Sequence, residues 1–246
     1  MKFYKIVDRG LKKYLEILQM QEVFFHQNLE AKLNARATEN RLLLCEHEPV
    51  FTLGKSGRRE NILVSDSDMN AEFYRVNRGG DVTFHGPGQL VAYPVFDLDI
   101  LRIGLAQYIF NLEEVIIFSL KKFRLKGERI EGAAGIWLRD NGTERKIGAI
   151  GVKASRNITM HGLAVNVNTD LSYFDKIVAC GLEGKITTSI KRELGREISM
   201  EDYKQEFLAA FELVFASENY GFARKENSDI TTPHSPSNNE SAFTLR

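Results

Sequence analysis

Three stretches of the chain repeat apolar residues with the period of a helix, and short apolar runs lie between them. Leu11, Tyr14, Leu15, Leu18, Phe25, Leu29 and Leu33 form the first stripe. Leu105, Tyr108, Ile109, Leu112, Ile116, Leu120 and Phe123 form the second, and Tyr203, Phe207, Phe211, Val214 and Phe215 the third. Ser199 with Asp202 resembles a capping box at the start of the third. The short runs predict strands. Leu42-Leu43-Leu44-Cys45 suits a buried strand, Val50-Phe51-Thr52-Leu53 stops at Gly54, and residues 73–76 and 90–98 are further candidates. Pro94 inside the last run predicts an edge or a bulge, because proline removes a ladder donor. Residues 133–138 and 145–154 flank Asp140-Asn141-Gly142, a hairpin signal, and residues 157–168 continue as strand.

The order is helix, strands, helix, strands, helix, and hairpin-like neighbours outnumber strand–helix–strand alternation. That predicts an α+β fold, a single domain with a mixed, largely antiparallel sheet flanked by helices. A chain of 246 residues is within reach of one such domain. Residues 1–223 are expected to form it, and the polar stretch 224–246, with its Ser, Asn, Thr and Pro, reads as a disordered tail.

Lys plus Arg and Asp plus Glu both number 33, so no global field favours nucleic acid or an anionic membrane. No run approaches the roughly 20 apolar residues of a membrane helix. No apolar stretch follows the charged N-terminus, so a signal peptide is not expected. The two cysteines, Cys45 and Cys180, form neither a disulfide framework nor a clustered zinc site. A reducing cytoplasm is the expected compartment, with no metal and no cofactor.

The most unusual segment is Arg78-Gly79-Gly80-Asp81-Val82-Thr83-Phe84-His85-Gly86-Pro87-Gly88-Gln89. Its glycines let backbone approach a ligand, and Thr83, His85 and Gln89 supply polar handles. It lacks the Gly-Lys-Ser/Thr ending of a P-loop, and Gly54-Lys55-Ser56 has that ending with Pro49 where the first loop glycine belongs. Taken alone, the segment reads as a turn with a core histidine, Cys180 as a small buried hydrophobe and Lys146 as a solvated strand lysine.

Together these residues resemble a family. Arg78-Gly79-Gly80, Thr83-Phe84-His85, Gly88-Gln89 and Tyr93 look like the signature of the octanoyl/lipoyl protein transferases. His47-Glu48-Pro49-Val50-Phe51-Thr52-Leu53-Gly54 is similar to the family's early strand, and Lys146-Ile147-Gly148-Ala149-Ile150-Gly151-Val152 to its lysine strand. His161-Gly162-Leu163-Ala164-Val165-Asn166, Asp170-Leu171, Cys180-Gly181 and Thr188-Ser189 match later elements. The likeness covers roughly residues 10–215. Ala179 departs from the pattern, since proline usually precedes the cysteine.

The resemblance implies a biotin/lipoate ligase-like catalytic fold and an acyltransferase. It implies octanoyl-acyl carrier protein as donor. The acceptors would be lipoyl domains of 2-oxoacid dehydrogenase complexes and the glycine cleavage H protein. Cys180 would carry the acyl group as a thioester and Lys146 would activate it. Arg78, Gly79, Gly80, Asp81, Val82, Thr83, Phe84, His85, Gly148, Ala149, Ile150, Gly151, His161, Gly162, Leu163 and Ala164 would bind substrate. The glycines would let backbone approach the acyl chain, and backbone N–H groups near residues 148–151 would hold the oxyanion. Basic residues at the pocket rim, Arg58, Arg59 or Arg78, would meet an acidic carrier. The alternatives are an ATP-dependent lipoate or biotin ligase, a non-catalytic carrier-binding module, a thioesterase, and a Cys–His dyad through His85 or His161.

Overall fold

The structure, a computed structural model, describes residues 3–140, 142–178 and 186–216. The chain opens on a strand, β1 (Lys5–Lys12), which the first apolar stripe overlapped. Leu11 belongs to it and is exposed. Helix α1 (Tyr14–Leu33) follows, and its buried face is Tyr14, Ile17, Gln21, Phe25 and Asn28. That face differs from the predicted stripe: Leu15 and Leu33 are exposed, while two amides are buried.

The next strands are β2 (Arg41–His47), β3 (Val50–Leu53), β4 (Glu72–Arg75), β5 (Val82–His85) and β6 (Gln89–Val95). A short helix, α2 (Leu98–Leu101), takes up Leu98, which the sequence pattern had assigned to the preceding strand. Helix α3 (Leu105–Lys121) carries the second stripe. Strands β7 (Gly127–Ile130), β8 (Ala133–Asp140), β9 (Thr143–Ser155) and β10 (Ile158–Asn166) follow as a meander. A 3-10 turn, Leu171–Lys176, a two-residue strand β11 (Ile186–Thr187), α4 (Ile190–Leu194) and α5 (Met200–Ala216) complete the described residues. The Ser199 hydroxyl accepts from the Asp202 N–H at 3.2 Å, capping α5.

Among the described residues the large sheet runs β1-β2-β6-β10-β9-β8-β7, with β11 beside β9. The pairs β1–β2 and β9–β11 are parallel and the rest antiparallel, so the sheet is mixed and largely antiparallel. A smaller sheet runs β4-β3-β5.

Side chains alternate across the large sheet. Leu42 and Leu44 of β2, Leu90 and Ala92 of β6, and Leu163 and Val165 of β10 pack against α3 and α5. Leu43, Cys45, Val91, Tyr93 and Ala164 face the other way, toward Ile17 and Phe25 of α1. Continuous apolar runs thus mark strands covered on both faces.

Pro94 sits inside the sheet, paired with Leu42 of β2, so it marks neither an edge nor a bulge but a local break in the β6–β10 hydrogen bonds, whose register is kept on both sides of it. The β6–β10 ladder stops at Ala92. Beyond it Thr159 Oγ1 donates to the Pro94 carbonyl at 2.9 Å, and His161 takes a positive φ of 59°. This kink in β10 turns His161 and Gly162 toward the space between the two sheets.

Candidate active site

A cleft with about 600 Å³ of empty space, part of it open to solvent, lies between the α1 face of the large sheet and the small sheet. Strand β5 contributes Val82, Thr83 and His85, and the loop before it Arg78, Gly80 and Asp81. Lys146, Ala149, Ile150 and Gly151 enter from β9, and His161, Gly162, Leu163 and Ala164 from β10. Tyr14, Val91, Tyr93 and Ala134 complete the lining, which is mostly apolar. A smaller cavity shares Val82, Thr83, Lys146, Ala149 and Ala164 with it and adds Gly148, Gln89, Asn166, Phe174 and Thr187.

The structure therefore gathers most of the sequence-predicted residues into one place. Three do not line the cleft. Phe84 alternates away from Thr83 and His85 and packs on Phe51 and Tyr173, the latter ring stacked at 4.3 Å. Gly79 lies behind the wall, where its N–H donates to the Val152 carbonyl at 2.9 Å and ties the glycine-rich segment to β9. Gly148 reaches only the smaller cavity.

Two of the glycines also serve close contacts within the protein. A Cβ on Gly151 would stand 2.9 Å from the Gly79 carbonyl oxygen, and one on Gly162 would strike the Ala92 carbonyl. Arg78 is buried, not at the rim. It donates to the Thr52 carbonyl at 2.8 Å and the Thr52 hydroxyl at 2.9 Å, bracing β3 against the glycine-rich loop. Arg59 pairs with Asp66 and lies over the Phe73 ring. Arg58 is exposed.

A chain of amides fixes the His85 ring. Asn166 Nδ2 donates to the Thr188 carbonyl at 3.0 Å, so Asn166 Oδ1 is the acceptor for Gln89 Nε2 at 2.9 Å. Gln89 Nε2 also donates to the Phe84 carbonyl at 3.1 Å. That leaves Gln89 Oε1 to accept from His85 Nδ1–H at 2.7 Å. His85 thus carries a proton on Nδ1. Burial, then the neighbouring His47, pushes its pKa down to about 3.

His47 and Tyr93 join through a 2.8 Å hydrogen bond, and burial lowers His47 to about 4. His161 is held at its backbone N–H, which donates to Gln21 Oε1 at 2.9 Å. Burial and the Arg78 charge lower His161 to about 3. Cys45 lies fully buried in β2, where burial pushes its thiol far up, and it has no access to the cleft.

Lys146 stands on β9 opposite Trp137 of β8, and its backbone also pairs with Thr187 of β11. The Lys146 carbonyl accepts from Thr188 N–H at 2.8 Å. Strand β8 pairs with β9 only as far as Gly148, so the edge at Ala149, Ile150 and Gly151 is left to form cleft wall.

Cys180, Gly181 and Ala179 lie outside the described residues, as do Asn141 and the tail 224–246. The described residues nearest Cys180 are anchored. Val178 N–H donates to the Asn61 carbonyl at 2.8 Å, Ile177 bridges Ile62, and Ile186 pairs with Arg145.

Tyr14, Val91 and Ala134 were missed as lining residues because each reads as core in sequence. Only the fold shows that a cavity separates them from their neighbours. Among the described residues no three His, Cys, Asp or Glu side chains converge to hold a metal, and no helix is long and apolar enough to cross a membrane.

The architecture is that of the lipoate and biotin ligase catalytic domains. A bi-partite lipoate protein ligase from Thermoplasma acidophilum superposes with a TM-score of 0.62 at 15% identity, over 94% of this chain and 93% of that one. A biotin protein ligase from Aquifex aeolicus superposes at 0.51 and 10% identity, over 92% of this chain and 74% of the other.

Within that class, residues 13–212 match the model of the lipoyl protein ligase A/B catalytic domain, and the chain belongs to this family. A protein from Porphyromonas gingivalis named octanoyltransferase is 49% identical over 87% of this chain, which spans 44% of that protein's length. An octanoyltransferase from Parabacteroides distasonis is 47% identical over 88% of this chain and its own entire length.

Proposed function

We propose that this chain is an octanoyltransferase of lipoate biosynthesis. It moves octanoate from its thioester on acyl carrier protein to a lysine amine of a lipoyl domain, through an acyl-thioester on Cys180. The acceptors are the lipoyl domains of 2-oxoacid dehydrogenase complexes and the glycine cleavage H protein. The cytoplasm, which keeps a nucleophilic thiol reduced, suits the reaction. The likeness to the octanoyltransferases above supports the cargo. The observation that carries the mechanism is Lys146. It lines an apolar cleft, and its backbone pairs with Thr187, seven positions after Cys180.

In the first step the Cys180 thiolate attacks the thioester carbonyl. The new C–S bond forms, the old one breaks, and the carrier thiolate leaves with a proton from the Lys146 ammonium. In the second step the acceptor amine attacks the Cys180 thioester. The C–N bond forms, the neutral Lys146 amine takes the proton shed by the attacking nitrogen, and Cys180 departs as thiolate. A free cysteine with pKa about 8.5 is only a few per cent ionised near pH 7. An ammonium about 4 Å away attracts a thiolate by roughly 4 kcal/mol at an effective dielectric of about 20, before desolvation is subtracted. Backbone N–H groups on the β9 edge at Ala149–Gly151 are the candidate oxyanion donors.

One observation favours a second reading, a ligase that makes an acyl-adenylate from ATP and a free acid. Solved structures of this fold include ligases, one of them described as bound with ATP. Incubation with octanoyl carrier protein and a lipoyl domain separates the two. Transfer without ATP, lost in Cys180→Ser, is the expected result. Loading of free octanoate that requires ATP and persists in Cys180→Ser would establish the ligase.

A further inference from the structure

We propose that Gly135 and Trp137, on strand β8, form a seat that fixes the side chain of Lys146 in the cleft, and that both are positioning residues. A lysine ammonium is a compact charge on a flexible four-carbon stem, so its surroundings must decide where it sits. Two contacts among the described residues act on it here.

The first concerns the stem. Gly135 has φ of +105°, and a Cβ built on it would stand 2.7 Å from Lys146 Cε and 3.3 Å from Nζ. It would also strike the Gly148 carbonyl oxygen. The lysine stem therefore lies across the α-carbon of Gly135, in space that any side chain would take.

The second contact concerns the charge. Lys146 Nζ is 5.3 Å from the centroid of the Trp137 ring, within the roughly 6 Å over which an aromatic face attracts a cation. The ring is held, because Trp137 is 1% exposed and its Nε1–H donates to the Ala133 carbonyl at 3.0 Å.

A break in strand register lines the two contacts up. Trp137 pairs with Lys146, but Ile136 pairs with Gly148, so Ile147 is the extra residue of a bulge. Ile147 turns into the core under α3 and α5. Lys146 stays on the side of Trp137, facing the cleft. The ring face and the open α-carbon together hold the ammonium on the cleft side of β9. The seat stands on this geometry alone, while its catalytic meaning rests on the reading of Lys146 given above.

The test has two readouts. The first is the rate of acetic anhydride labelling of Lys146 at pH 8, read by peptide mass spectrometry in a Cys180→Ser background. In Trp137→Leu the lysine loses the ring that holds it, labelling is expected to be about 3- to 10-fold faster, and Trp137→Phe should restore most of the original rate. Gly135→Ala, where it folds, should change the rate in the same direction. A labelling rate in Trp137→Leu equal to the original overturns the seat.

The second readout is the rate–pH profile of iodoacetamide on Cys180 in the otherwise unaltered chain, which Trp137→Leu should carry to higher pH. If the lysine labelling rate rises and the thiol profile does not move, the seat stands and the pairing of Lys146 with Cys180 fails.

Discussion

His47, His85 and His161 are all buried and uncharged, with burial lowering them to about 4, 3 and 3. An exposed histidine titrates near 6.5. The unfolded chain therefore binds more protons than the folded one between about pH 6.5 and pH 3, and stability falls as pH falls through that window. Each histidine contributes a slope of up to about 1.4 kcal/mol per pH unit there. Urea midpoints should drop steeply between pH 6.5 and 5, above the range where carboxylates protonate. A flat profile down to pH 5 would show that these rings are solvated.

Lys146→Ala should lower octanoyl transfer by about 100-fold or more and move Cys180 alkylation to higher pH, with urea stability nearly unchanged. Much of this site was legible through the family resemblance carried by the segment 78–89 and the strand around Lys146, since Lys146 taken alone reads as a solvated strand lysine. What the pattern lacked was direction. Phe84 sits between two cleft residues in sequence, yet the two-residue period of β5 sends it to the opposite face.

Polar groups buried between elements do much to shape the cleft. Gln21 of α1 is fully buried and accepts from the His161 N–H, pinning the kink where β10 leaves its ladder beside Pro94. Gln21→Leu keeps the volume but leaves that N–H unpaired. The expected cost is about 1–3 kcal/mol in urea denaturation. A loss within about 0.3 kcal/mol would mean that the kink holds itself.

The same residue explains why the buried face of α1 was only partly read from sequence, which gave Tyr14 and Phe25 correctly. A stripe of leucines pointed one way, but Gln21 and Asn28 face inward because backbone groups of β10 and of Glu39 meet them there. Strand β1 escaped notice for a related reason. Its residues, Lys-Ile-Val-Asp-Arg-Gly-Leu-Lys, are mostly exposed on a sheet edge and carry no alternation. The turn at Arg156 and Asn157, both at positive φ, uses neither glycine nor proline and so gave no signal between β9 and β10.

For the molecule as a whole, three long helices and a mixed sheet were readable because strands covered on both faces are apolar throughout. The cavity was not readable, since it exists only where the small sheet faces the α1 side of the large one. That arrangement places Lys146 in an apolar cleft, with Thr187 and Thr188 at its back and the segment carrying Cys180 just before them in the chain. The central claim is that Cys180 carries the acyl group between donor and acceptor. Intact-mass spectrometry after mixing the protein with octanoyl carrier protein, with no acceptor and no ATP, tests it most directly. One added octanoyl group, removed by hydroxylamine and absent in Cys180→Ala, is the predicted result. An unmodified wild-type mass, or an equal adduct on Cys180→Ala, would contradict it.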